Sequence, residues 1–238
     1  TQGDNPPMKD TFYKVVRFLG SRFVYRCIGL ENILSSGPAI YVANHLGSVG
    51  PGEIILSLPV RLYPWAIAEM TDFRRAPRYL YDDFIHPSWH LSGRFGMAVS
   101  TVISRLGVWL INGLGSIPVD RYREHYVEPF RRSLPLLDEG KNLLIFPEDP
   151  NGPLDPATLM RPFMGGFVLL CFLYQRLTGK QLPIYPLAVS SQCKTISVGK
   201  SVFLEPRGNP RHDIHGACAR VQEEVRRLYN ALQALGPR

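Results

Sequence analysis

Residues 39–53 read Ala39-Ile40-Tyr41-Val42-Ala43-Asn44-His45-Leu46-Gly47-Ser48-Val49-Gly50-Pro51-Gly52-Glu53. An apolar run rich in β-forming residues stops at a polar pair, and a segment bearing glycine and proline follows. That is the pattern of a buried strand ending at Asn44-His45 and passing into a turn. Pro51 suits the first position of a helix, where its missing N–H has no intrahelical partner to serve. A helix is therefore predicted from Pro51 towards Leu58. The expected result is an imidazole at the carboxyl end of a strand, beside the start of a helix, which is where ligands gather in α/β sheets.

Outward from this stretch the same alternation continues. Trp65–Met70, Leu114–Val119, Asn142–Phe146, Ile184–Val189 and Thr195–Val198 read as strands, and Phe95–Leu106, Tyr126–Glu139 and Met164–Leu177 as helices. A last helix, capped by Asp213, runs towards Leu235 with Val221, Val225, Leu228 and Leu232 on one face. Strands alternating with helices predict an α/β fold, a single-layer mixed sheet flanked by helices, in one domain over residues 9–238. Residues 71–93 mix aromatics, acids and prolines and read as a long surface excursion. Residues 147–158 hold four prolines and read as loop. Residues 1–8 read as a disordered lead-in.

Residues 9–26 form a basic amphipathic pattern. Phe12, Val16, Leu19 and Phe23 recur at helical spacing, with Lys9, Lys14, Arg17, Arg22 and Arg26 around them. Such a helix either lies on an anionic membrane or packs its stripe on its own domain and leaves the basic face in water.

With 45% apolar and 20% charged residues over 238 positions, the chain is long and apolar enough to bury a sizeable core. A net charge of +7 favours anionic partners without choosing among them. No recognised nucleic-acid-binding module accompanies it, so a nucleic-acid partner is not expected. Cys27, Cys171, Cys193 and Cys218 lie far apart with no metal-like pairing, as expected of free thiols in a reducing compartment. Histidines 86, 90, 212 and 215 lack the accompanying ligands of a zinc site, and no metal is expected. The Leu46-Gly47-Ser48-Val49-Gly50 segment lacks the first glycine of a serine-hydrolase elbow.

Four short segments each end or follow a strand: Asn44-His45; Gly115-Ser116-Ile117-Pro118-Val119-Asp120-Arg121; Ile145-Phe146-Pro147-Glu148-Asp149-Pro150; and Leu182-Pro183-Ile184-Tyr185-Pro186. Alone, each is compatible with an ordinary structural role. In this order and spacing the chain resembles the glycerophospholipid acyltransferases, the lysophosphatidate acyltransferase-like family. That family carries Asn-His-x-x-x-x-Asp, Gly-x-Ile-x-x-x-Arg, Phe-Pro-Glu-Gly-Thr-Arg-Ser and a Pro-Ile-x-Pro strand. The resemblance runs from about Phe12 to the last helix, and Gly29-Leu30-Glu31-Asn32 and Glu139-Gly140-Lys141 agree with it.

The resemblance implies fatty acyl transfer from acyl-coenzyme A or acyl carrier protein to a lipid or sugar hydroxyl. It places the enzyme in the cytoplasm, peripheral on the anionic inner face of a membrane. It implies His45 as general base and Arg121 as the holder of an anionic headgroup. Glu148 then shapes the acceptor pocket, and Gly115, Ile117, Pro147 and Pro183 contribute to substrate binding. No cofactor is implied beyond the acyl thioester co-substrate, because a thioester is already activated.

The chain departs from the family at charged positions. Gly50 stands where the family has the aspartate that orients the histidine, so the first motif is degenerate. Glu53, one helical turn further on, offers a substitute carboxylate. Asp149-Pro150-Asn151-Gly152 replaces Gly-Thr-Arg-Ser, and Met164-Gly165 replaces a basic pair. Positive charge is thereby lost where the family binds phosphate, which points to an acceptor other than lysophosphatidate. The alternative is a catalytically impaired relative that binds lipid or acyl donor.

Overall fold

The computed structural model describes residues 10–33, 37–45, 50–120, 127–205 and 210–236. The chain divides into two compact units, one of Val16–Leu62 and Ser133–Arg238, the other of Thr1–Val15 and Tyr63–Arg132. Each unit is assembled from two separated stretches, so no composition shift in the sequence marks a boundary.

The larger unit holds five strands in the order β1-β7-β6-β2-β5: β1 (Arg26–Ile28), β2 (Ile40–Ala43), β5 (Asn142–Ile145), β6 (Ile184–Ser190) and β7 (Thr195–Val198). The remaining two, β3 (Leu62–Ile67) and β4 (Ile117–Val119), pair in parallel in the other unit, with Trp65 opposite Ile117. In the five-strand sheet β2 runs parallel to both β5 and β6, β1 runs parallel to β7, and β6 and β7 are antiparallel. The mixture follows from the connections. A tight turn at 191–194 can join only antiparallel neighbours, whereas parallel neighbours require long crossovers.

β2 and β6 are buried along their whole length. Their near-continuous apolar runs are what a strand covered on both faces requires. Tyr41 and Tyr185 lie opposite each other in register and stack with ring centroids 5.0 Å apart. Burial pushes the Tyr41 phenol well above the usual tyrosine range, so it remains neutral. The helices α2 (Gly50–Ser57), α7 (Gly166–Thr178) and α8 (Pro210–Gln233) flank this sheet, with α8 along β6 and β7. The expected α/β class, a mixed sheet flanked by helices, is the observed one.

Several expected element boundaries shift. The helix expected over 9–26 is α1 (Asp10–Leu19); a single 3-10 turn follows, and Arg26 already begins β1. Gly20 marks the break, where a Cβ would sit 2.5 Å from Leu56 Cδ2. The stretch 71–93 is not an irregular excursion. It holds α3 (Ala76–Leu80), a π-helical turn over Tyr81–Ile85 and α4 (His86–Trp89). Pro77 and Pro87 stand at the starts of these helices rather than ending them. α5 (Gly93–Gly113) is longer than Phe95–Leu106, and α6 spans Glu128–Asp138. Asp213 does not cap the last helix, which begins at Pro210; it lies in the first turn. The lead-in 1–8 lies outside the described residues.

Candidate active site

β2 delivers Asn44 and His45, and their two side chains have opposite environments. Asn44 is buried at 1% exposure. Its Oδ1 accepts the Val189 N–H at 2.8 Å and its Nδ2 donates to the Val189 carbonyl at 3.2 Å. The side-chain amide thus stands in for one more peptide unit and extends the β2–β6 ladder beyond Ala43 opposite Leu187. The main chain is free to turn away at this point, and His45 emerges exposed.

The His45 main-chain N–H donates to Glu148 Oε1 at 2.6 Å. Glu148 follows β5, the other parallel neighbour of β2, so its carboxylate meets the strand-end donor that the ladder leaves unpaired. Its second oxygen accepts the Arg161 N–H at 3.0 Å. One carboxylate therefore ties the end of β2 to the returning arm of the loop over 147–163. A β-bridge between Glu148 and Phe163 and the Met164 N–H on the Pro147 carbonyl at 2.7 Å close the base of that loop. Burial pushes the Glu148 carboxyl above the usual range, against the opposing pull of those two N–H groups and the Arg161 charge. The His45 ring meets Phe146 edge-on at 5.2 Å, which limits its tilt while leaving it reachable.

Asp149–Gly152 is a braced turn. Asp149 Oδ1 accepts the Asn151 N–H at 2.9 Å, and the Arg161 guanidinium donates to the Gly152 carbonyl. From α8, Gln222 accepts the Phe163 N–H at 3.1 Å. The arginine of this loop is thus engaged with main chain.

The structure brings together His45, Pro147 and Glu148 in the larger unit. Glu53 lies in the first turn of α2. Its charge acts on Tyr25, whose phenol is raised first by burial and then by Glu53. Burial raises the Glu53 carboxyl too, and its Oε2 is buried without a hydrogen-bond partner. Pro183 accepts from Ile40 N at the amino-terminal edge of β2, the end of that strand opposite to His45.

Gly115 and Ile117 belong to the other unit, where each has a structural task. Gly115 adopts φ +78° just beyond α5, and a Cβ there would crowd the Tyr63 ring at 3.0 Å. Ile117 is a buried β4 residue. Arg121 lies outside the described residues, as does Ser48. Residue-type reasoning did not single out Asn44 as the clamp or Arg161 as the second donor to Glu148. Asn44 stood beside the histidine in the motif; Arg161 carried no sequence signal.

The carboxyl shift of Glu53 gives a stability prediction. A carboxyl raised in the folded state favours folding below its unfolded value, about pH 4.3, and loses that contribution as pH rises through the raised value. Glu53→Gln is therefore expected to raise the thermal midpoint at pH 7. The gain should shrink as the pH falls through the raised value and be gone below about 4.3, and thermal melts of both proteins across pH 3.5–7.5 check it.

No protein-family model matches the chain, and no curated protein matches it in sequence. Among solved structures it is similar to the crystal structure of the 1-acyl-sn-glycerophosphate (LPA) acyltransferase PlsC from Thermotoga maritima. The identity is 16% and the TM-score 0.56, over 93% of this chain and 80% of that one. The likeness is one of fold, and it spans nearly the whole chain.

Proposed function

We propose that this protein transfers a fatty acyl group from an acyl thioester to the hydroxyl of a lipid acceptor, with His45 as general base. The observation that carries this reading is an exposed imidazole at the carboxyl end of a buried parallel strand. Its main chain is held by Asn44 on one side and Glu148 on the other. The acyltransferase-like fold supports it. In the reaction the imidazole accepts the acceptor's proton as the oxygen attacks the thioester carbonyl. The tetrahedral intermediate collapses with cleavage of the C–S bond, and the thiol leaves with the proton returned from the imidazolium. Main-chain N–H groups at the start of α2 are the donors assigned to the carbonyl oxygen. Glu148 is a positioning residue that acts through the His45 main chain. Glu53 is assigned as the carboxylate that partly replaces the missing aspartate. If so, Glu53→Gln lowers kcat while raising stability; unchanged kcat removes it from the set.

The braced Asp149–Gly152 turn and the engaged Arg161 support an acceptor that is not strongly anionic at the reacting end, such as a sugar, sterol or diol lipid. Thiol release from long-chain acyl-coenzyme A, and from acyl carrier protein, is measured across such acceptors and lysophosphatidate. Faster release with a neutral acceptor is the expected result. High turnover on lysophosphatidate would overturn the acceptor class. The reaction is placed at the cytoplasmic face of a membrane, with α1 and the 3-10 turn after it against the lipid: Phe18 and Phe23 are exposed beside Arg17 and Arg22.

Gly50 favours a second reading. The family's orienting acid is absent, and loss of such an acid can cost about 10⁴ in rate. A protein that binds acyl thioester without turning it over would fit.

A further inference from the structure

α5 is built inside out. A helix of a water-exposed domain normally turns its large apolar side chains to the core. In α5 the buried positions are Gly96, Ser100, Ser104 and Val108, with Gly113 at its end. Four of its large apolar residues face out: Phe95 is 68% exposed, Val102 71%, Leu106 59% and Trp109, which also meets Phe12 edge-on at 4.9 Å, 52%. At about 100° per residue these four fall within about 60° of arc, so they form one stripe opposite the buried face. The small buried face is used for close packing within its own unit. Ser100 Oγ donates to the Pro77 carbonyl at 2.6 Å, and Gly96 is so near the Leu91 carbonyl that a Cβ would lie 2.4 Å from it.

Charge completes the pattern. The only charged residues of α5 are Arg94 and Arg105, both exposed. They are eleven residues apart and therefore share one edge of the stripe. Among the described residues neither is ion-paired. Arg94 also walls a groove with Arg78, Tyr81, Met97 and Thr101. Asp82, next to Tyr81 of this groove, is held by Arg78 at 2.7 Å; Asp83 follows it in the chain. Among the described residues α5 is the helix long and apolar enough to cross a membrane. A crossing helix would carry Arg105 near the bilayer centre and turn its packed face to lipid, both costly.

We infer that α5 lies flat in the interface of an anionic phospholipid bilayer, with Phe95, Val102, Leu106 and Trp109 in the acyl boundary. Arg94 and Arg105 meet lipid phosphates at its edge, and the groove beside Arg94 accepts one headgroup. This geometry needs no catalysis, so its failure and that of the acyl-transfer reading are separable.

The test is sedimentation of the full chain with vesicles of phosphatidylcholine alone and with phosphatidylglycerol added. The comparison covers wild type, Val102→Glu/Leu106→Glu, Arg94→Ala/Arg105→Ala and Phe18→Glu/Phe23→Glu. Wild type is expected to bind the anionic vesicles, with a blue shift of Trp fluorescence that Trp109→Phe diminishes. Removing two apolar anchors is expected to weaken binding about tenfold or more, at an unchanged thermal midpoint because both positions are exposed. The arginine pair should remove most of the preference for anionic lipid.

Three results would overturn the inference. The first is Val102→Glu/Leu106→Glu binding like wild type while only Phe18→Glu/Phe23→Glu loses binding. The second is a wild-type chain that ignores both vesicles. The third is self-association in solution through this face, with Val102→Glu/Leu106→Glu becoming monomeric and no vesicle binding at all.

Discussion

His45→Ala is expected to lower acceptor-dependent thiol release about 10²–10⁴-fold, the usual worth of a positioned general base. The loss should fall on kcat, because a general base acts on a proton in flight and not on the substrate's resting contacts. The fold should survive. His45 is exposed, and the hydrogen bond to Glu148 comes from the main chain, which alanine retains. The edge-on contact with Phe146 is lost, and such ring pairs are worth about 0.5–1.5 kcal/mol. Thermal melts beside initial rates check both halves. If the protein only binds acyl donor, the substitution leaves donor affinity and the background rate of thiol release alike unchanged.

Asn44→Ala is expected to produce the largest loss of stability. The side chain satisfies both the N–H and the carbonyl of Val189, which is itself buried. Alanine leaves two main-chain groups without partners where water does not reach, at about 1–3 kcal/mol each. Set against a total stability of about 5–15 kcal/mol, that is a large fraction. Asn44→Asp should be no milder near neutral pH. It keeps an acceptor for the N–H, but it sets a carboxylate oxygen against the carbonyl and buries a charge. Urea unfolding should show a lower midpoint at an unchanged slope. A shift below about 0.5 kcal/mol, the range of ordinary surface substitutions, would mean that the clamp does not hold the strand end.

Much of this arrangement was legible because it is local. The run from Ala39 to Ala43 announced a strand covered on both faces, Pro51 announced a helix start, and the polar pair between them fixed where the imidazole emerges. Glu148 was legible only by resemblance, and its contact was not. It reaches a main-chain N–H 103 residues earlier in the chain, a pairing that no local pattern encodes. Pro77 and Pro87 misled for a definable reason: proline breaks a helix from the inside and favours its first turn, and composition alone does not distinguish the two. The end of α1 at Leu19 was hidden likewise, since the reason for Gly20 is the approach of Leu56 from another helix. α5 read as helix from its apolar content, but which side faced inward depended on Pro77, Leu91 and Tyr81 and not on its own periodicity.

The proposed role of the strand-end imidazole is to move an acyl group from sulfur to oxygen. The most direct measurement is an accounting of products: free thiol and acylated acceptor quantified by mass spectrometry from one incubation, with wild type and His45→Ala in parallel. Acylated acceptor in one-to-one proportion with thiol is expected in the wild type, and neither in the variant. Acyl-coenzyme A that is bound but returned intact under every acceptor and donor carrier, or thiol released equally by both proteins, would contradict it.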